Sequence, residues 1–253
     1  MIVCKSPAEL EKMRAANQLV AQVLEELAAM VAPGVTTADL DAAAEARVRA
    51  AGAEPAFKGY RGYPATLCAS VNEQVVHGIP NRTALASGDI VSLDMGVKLN
   101  GYYGDSAVTV PVGTVDENVR KLLRVTREAL DKGIAQVKVG GRISDIGHAI
   151  QAHVEANGFS VVREFVGHGI GASLHEEPQI ANYGEPGRGP RLAEGMTLAI
   201  EPMVNMGKPA VKVLGDGWTA VTKDGSLSAH FEHTVAVTRD GPLVLTLRPV
   251  AAL

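Results

Sequence analysis

Four acidic residues stand inside segments whose other residues are mostly apolar: Asp94 in IVSLDMGV, Asp105 in GDSAVTV, Glu201 in TLAIEPMV and Glu232 in SAHFEHTVAV. A carboxylate on an apolar strand is costly to bury unless it is protonated, paired or bound to a cation. No lysine or arginine lies within three residues of any of the four. Two divalent cations supply the missing charge, so the acids point to a dinuclear metal centre. Donors rich in oxygen and poor in nitrogen suit Mn, Mg, Co or Fe(II) better than a structural zinc. Three histidines join the set. His168 lies between two glycines in GHGIG, His175 opens HEEP, and His77 stands in VVHGIP. Each belongs to a loop beside an acid-bearing segment and is read as a cleft residue. His148, His153, His230 and His233 are read as structural or surface groups.

The elements that must position these residues follow from local pattern. Asn100-Gly101 is a hairpin turn signal between two strand-like runs. A two-residue turn pairs Leu99 with Tyr102, which sets Asp94 opposite Ala107 and Asp105 opposite Gly96. The two acids then share one face of the hairpin as diagonal neighbours. Shifting the chain by 106 residues lays Gly34 over Gly140, Asp39 over Asp145, Val48 over Val154 and Gly52 over Gly158. With one more residue of offset Asp94 falls on Glu201, and DSAVTV resembles EHTVAV, so Asp105 corresponds roughly to Glu232. This predicts a duplication, with repeats at about 8–113 and 117–240 inside a single catalytic domain spanning 1–253.

Apolar residues at helical spacing predict a helix near 8–30, and Thr36 with Asp39 predicts the start of another that ends at Gly52. The repeat places their counterparts at 118–137 and 144–157. Strands are expected around 66–76, 89–98, 102–112, 160–167, 196–204, 229–238 and 243–248. Strands cluster within each half instead of alternating singly with helices. The class is therefore α+β, with helices packed on an antiparallel sheet and a cleft where the halves meet.

Composition narrows the function. The 253 residues carry 24 basic and 28 acidic side chains, a net charge of −4, and only 4% are aromatic. That balance offers no electrostatic footprint for nucleic acid or for an anionic membrane, and few platforms for base stacking. Cys4 and Cys68 cannot form a disulfide framework, which fits a reducing compartment. The opening residues lack a signal-peptide pattern and no apolar run reaches about 18 residues. A cytoplasmic location is expected.

Together, VVHGIP, the acid pair across Asn-Gly, GHGIG with HEEP, AIEPMV and FEHT resemble the methionine aminopeptidases. The match runs from about residue 8 to 248 and looks like the short bacterial type I form, since only 33 residues separate His168 from Glu201. The resemblance implies the pita-bread fold, two pseudo-twofold related halves with helices on a curved antiparallel sheet. It implies two divalent ions on Asp94, Asp105, His168, Glu201 and Glu232, and His77, His175 and Glu201 as catalytic groups. Phe57, Tyr60, Tyr63, Cys68, Leu174 and Trp218 map onto the methionine pocket, beside His77 and His175. Phe57 and Leu174 depart from the common bacterial pattern of cysteine and phenylalanine there, which bears on pocket shape. The implied activity is removal of the N-terminal methionine, before a small second residue, by metal-activated water. The implied substrates are nascent chains near the ribosome, met by a monomeric enzyme. A prolidase or aminopeptidase P is the nearest rival, and those carry an extra N-terminal domain that 253 residues cannot hold.

Overall fold

A computed structural model describes residues 1–247. Helix α1 spans Pro7–Met30, and its start follows from three adjacent signals. Ser6 accepts the Glu9 amide, Glu9 returns a bond to the Ser6 amide, and Pro7 occupies a position whose N–H would have no partner anyway. Helix α2, Thr37–Ala50, uses the same reciprocal cap through Thr36 and Asp39. Helices α3, Glu117–Ile134, and α4, Ile143–Ala156, follow in the second half. At the start of α4, Asp145 accepts the Arg142 amide, but an arginine side chain has no acceptor to return. Both ends of α4 lie 106 residues on from those of α2, 37 to 143 and 50 to 156.

A nine-stranded sheet carries the site. Its order is Glu54–Pro55, Ile90–Leu99, Tyr102–Pro111, Glu232–Thr238, Thr197–Ile200, Gly167–Gly169 and Glu176–Ile180. Cys68–Val71 also pairs with Ile90–Leu99, and Gly241–Val244 with Glu232–Thr238. Every pairing in this sheet is antiparallel. Within this sheet the halves meet at one ladder, where Tyr102–Pro111 meets Glu232–Thr238, and a second ladder, Gln74–Val76 with Ala220–Thr222, joins them in a flanking sheet. Two smaller three-stranded sheets flank the nine-stranded one.

The helices cover the sheet from one side. Val20, Val23, Leu24 and Leu27 of α1 bury against Leu93, Met95 and Val97, while Leu122, Ile146 and Ile150 of α3 and α4 pack with Leu198, Ile200 and Val235. Close approach of α1 to the hairpin requires Gly104, since a Cβ there would lie 2.8 Å from the Asn17 amide nitrogen. That contact lets the buried Asn17 side chain accept the Asp105 amide at 3.3 Å.

Several expected strands are shorter or split. The 66–76 segment divides into Cys68–Val71 and Gln74–Val76 around Asn72, which turns at φ 56°. The 160–167 segment divides into Ser160–Val161 and Gly167–Gly169. The 196–204 segment breaks between Thr197–Ile200 and Met203–Asn205, where Pro202 has no N–H for a ladder. The 229–238 segment breaks at Phe231, so Ser228–His230 leaves for a flanking sheet. The last expected strand, 243–248, is Gly241–Val244 instead, and its final residue lies outside the described residues.

Candidate active site and metal centre

The hairpin register determines where the acids stand. Leu99 pairs with Tyr102, Asp94 with Ala107 and Gly96 with Asp105, as the Asn-Gly turn predicts. Asn100 and Gly101 both take positive φ, 52° and 82°, as a type I′ turn requires. Side chains of directly paired residues share a face, so the row can be followed across the sheet. Cys68 pairs with Asp94, Asp94 with Ala107, and Ala107 with Glu232. Two residues along, Thr234 pairs with Ala199 and Ala199 with His168. Asp105 lies two residues before Ala107, and Glu201 two after Ala199. Period-two alternation therefore puts Asp94, Asp105, His168, Glu201 and Glu232 on one face.

Their side chains converge. One ligand atom each from buried Asp105, His168 and Glu232 lies within 4.8 Å of the others. His168 Nε2 is 3.9 Å from Asp105 Oδ2 and 3.5 Å from Glu201 Oε1. Its Nδ1 sits 2.9 Å from the Gly169 carbonyl oxygen, an arrangement that places the ring proton on Nδ1 and aims the Nε2 lone pair at the acids. The flanking glycines are needed for this packing: a Cβ on Gly167 would meet the Ala199 carbonyl oxygen at 2.3 Å, and one on Gly169 the Glu177 oxygen at 2.2 Å.

The electrostatics favour a bound cation. Asp94 Oδ1, Asp105 Oδ1 and Glu232 Oε1 are buried without a hydrogen-bond partner, and no lysine or arginine pairs with any of the four acids among the described residues. Burial pushes Asp94 up to about 7. Asp105, Glu201 and Glu232 are held well above the carboxylate range, first by burial and then by neighbouring charge, that of Asp94 for Asp105 and Glu201 and that of Asp105 for Glu232. The neutral histidine reinforces the picture, since burial and then His175 depress His168 to about 4. Buried orphan carboxylates around an imidazole suit a divalent ion well.

A cleft with about 690 Å³ of empty space opens onto this floor. All the sequence-derived site residues line it: the five above, with Phe57, Tyr60, Tyr63, Cys68, His77, Leu174, His175 and Trp218. The Tyr60 hydroxyl lies 2.9 Å from His175 Nδ1, within hydrogen-bond distance, and its ring stacks on the imidazole at 5.3 Å. Tyr63 donates to the carbonyl oxygens of Leu67 and Gly78 and meets Trp218 edge-on at 5.1 Å. His77 stands at φ 61° with its ring edge-on to Phe165 and Trp218, at 5.4 and 6.2 Å. That backbone angle is uncommon for a residue with a Cβ and is shared with Arg61, Asn72 and Asn100. Burial, and secondarily His175, hold the His77 ring down at about 4.

Residues 11–239 match metallopeptidase family M24. The chain belongs to that family. Relatives extend the likeness over nearly its whole length. Methionine aminopeptidase 1 of Bacillus subtilis is 55% identical over 97% of this chain and 99% of its own. A methionine aminopeptidase of Clostridium perfringens is 54% identical over 98% and 99%. The crystal structure of the Thermotoga maritima methionine aminopeptidase superposes with a TM-score of 0.96 at 51% identity, covering 98% of this chain and all of that one. Prolidase from Pyrococcus furiosus, at 22% identity and TM-score 0.79, shares the pita-bread fold and extends beyond it, with 66% of its chain matched. This M24 chain is a metal-dependent aminopeptidase, a hydrolase.

Two residues near the M24 site escape the sequence reading. Arg61 lines the cleft with its guanidinium 5.4 Å from the Tyr60 ring centroid. Its position beside Tyr60 and Tyr63 was the available signal. His230, read as structural or surface, is 1% exposed and its Nε2 lies 3.8 Å from Glu201 Oε2. His233 packs on the opposite face of the sheet, with Nδ1 2.7 Å from the Thr246 hydroxyl. His148 and His153 lie on α4, far along the chain from any site strand. No helix among the described residues is long and apolar enough to cross a membrane.

Proposed function

We propose that this chain removes the N-terminal methionine from nascent polypeptides whose second residue is small, and that two divalent ions, drawn from Mn, Co, Fe(II) or Mg, assist it. The observation that carries the reading is the convergence of Asp105, His168 and Glu232 within 4.8 Å, with Asp94 and Glu201 in the same cleft. These five residues would hold the ions. When bound, divalent ions neutralise the acids, polarise the scissile carbonyl and bring the pKa of water near neutrality.

The chain's own groups supply the remaining chemistry. Glu201 is the base, accepting a proton at its carboxylate from the attacking water and handing it on. His77, neutral in its buried setting, gives an N–H to the scissile amide or to the departing amine. With the Tyr60 hydroxyl donating to Nδ1, His175 carries its proton on Nε2, where it can hold the substrate carbonyl oxygen. Phe57, Tyr60, Tyr63, Cys68, Leu174 and Trp218 form a wall of rings, an aliphatic chain and a thiol for the methionine side chain. Burial, and then Asp94, keep that thiol protonated. An extra methylene forced against such a wall costs about 1–3 kcal/mol, which favours a small second residue.

The reading includes a single catalytic unit built from repeats at about 8–113 and 117–240. It also places a monomeric enzyme in the cytoplasm, acting on emerging N-termini near the ribosome and binding no nucleic acid. Turnover of Met-Ala-Ser, Met-Leu-Ser and Ala-Pro-Ala peptides, with Mn(II) or with a chelator, tests it. Cleavage of Met-Ala-Ser that needs the ion is expected, with Met-Leu-Ser slow and Ala-Pro-Ala inert. Equal turnover of the first two would overturn the second-residue rule, and chelator-resistant cleavage the metal reading. Glu201→Gln should nearly abolish turnover, and wild-type rates in that variant would remove Glu201 from its role.

A further inference from the structure

The carboxylate of Glu201 faces a different imidazole with each oxygen: Oε1 lies 3.5 Å from His168 Nε2 and Oε2 lies 3.8 Å from His230 Nε2. His168 is spoken for by the metal reading. His230 is not, and its situation is unusual for a histidine in a protein interior. It is 1% exposed, and neither Nδ1 nor Nε2 has a hydrogen-bond partner. Buried polar groups are nearly always paired, so an imidazole with two idle nitrogens calls for a reason.

The backbone at His230 is held more firmly than packing alone would require. The Thr109 hydroxyl accepts the His230 N–H at 2.8 Å and donates to the His230 carbonyl oxygen at 2.7 Å. Ser92 Oγ, 2.8 Å away, completes the arrangement by donating to Thr109. His230 also pairs with Met203, two residues after Glu201, so the two segments run side by side. Glu201 is fixed at its own backbone, where buried Asn182 donates to its carbonyl oxygen at 3.0 Å. Two anchored backbones thus face each other, with one side chain from each directed into the gap.

We propose that His230 is a positioning residue for Glu201: its Nε2–H holds Oε2, directly after a small carboxylate rotation or through one water, so that the Glu201 carboxylate keeps a single orientation. The Nε2–H tautomer supplies this donor, no partner on Nδ1 competes for the proton, and a carboxylate rotation or one water closes the 3.8 Å separation. A carboxylate that must both hold an ion and take a proton gains from a fixed plane. Groups that orient a ligand in this way alter affinity or activity by about 10–100-fold when removed. The proposal rests on the reading of Glu201 as base and ligand.

The test compares wild type with His230→Leu, His230→Gln, His230→Asn and Glu201→Gln. Three quantities are read: kcat and KM on Met-Ala-Ser with Mn(II), the Mn(II) affinity of the chelated protein by calorimetry, and the melting temperature. His230→Leu should lose about 10–100-fold in kcat with KM nearly unchanged, and should bind Mn(II) more weakly. His230→Gln, whose amide reaches a similar point, should recover most of both losses, while the shorter His230→Asn should not. Unaltered kcat and Mn(II) affinity in the leucine variant would overturn the proposal. So would equal impairment of the glutamine and asparagine variants, which also decides the matter if the leucine variant fails to fold. Wild-type turnover in Glu201→Gln would defeat the base assignment by itself, and the calorimetric comparison would then still decide whether His230 orients a ligand.

Discussion

Asp94 and Glu232 stand in one row across the sheet with only Ala107 between them. They come from opposite halves of the chain, yet a single methyl group is all that separates their strands on the site face. Ala107 is 4% exposed, so anything larger must grow into the space over which the acids converge. Ala107→Leu should fold and lose most of its activity and its bound ion, whereas Ala107→Ser should keep both. Full metal content in the leucine variant would show that the floor of the cleft tolerates bulk.

Removing the metal should destabilise the protein in a pH-dependent way. Asp94 at about 7, and three further acids held above the usual range, gain protons in the folded chain well before free carboxyls do. Protons therefore compete with the ion as pH falls, and the stabilisation by the ion, full in alkaline solution, is lost as pH drops through 7. Melting curves of loaded and chelated protein at pH 8 and pH 6 check the sign. The gap in melting temperature should be larger at pH 8, and a constant gap would contradict the coupling.

His77 should separate catalysis from metal binding. Its ring packs between Phe165 and Trp218, and it does not belong to the convergent ligand group. His77→Ala should lower kcat by about 100-fold or more, within the range for loss of a general acid or base. Metal stoichiometry by elemental analysis should stay at the wild-type value, and loss of an ion would reassign His77 as a ligand.

Beside the site, Lys5 and Glu176 form an ion pair at 2.5 Å, with side-chain exposures of 3% and 14%. This pair ties the N-terminal segment to the residue after His175. Breaking it from one side strands a charge, so Lys5→Met should lower the melting temperature by several degrees. The double variant with Glu176→Met should recover much of that loss. A double variant no better than the single would mean that packing, not charge, is what Lys5 contributes.

The hairpin and its acids were legible because their determinants are local. Asn100-Gly101 sets a turn, the turn sets the register, and period-two alternation sets the faces. The start of α2 was legible for the same reason, through Thr36 and Asp39, and α1 through its apolar period. Strands of two or three residues, such as Glu54–Pro55 or Val211–Val213, were not, because so short a run has no measurable periodicity. Which of structural or surface applied to His230 was not legible, because its burial depends on Phe231 breaking a strand and on Thr109, far away in sequence, clamping the backbone. Arg61 lacked any pattern beyond its aromatic neighbours.

The ladder joining Tyr102–Pro111 to Glu232–Thr238 also makes the enzyme late to mature. A growing chain emerges from its N-terminal end, and residues up to Glu201 already include four of the five acids and histidines on the site face. Without the strand that begins at Glu232, the Tyr102–Pro111 edge of the first hairpin stays open, and the second half keeps its flanking ladder to Gln74–Val76 but loses its place in the main sheet. Competence therefore arrives only once Glu232–Thr238 has been made, and a product terminated before Glu232 would carry an unpaired, aggregation-prone strand edge and lack one acid of the site.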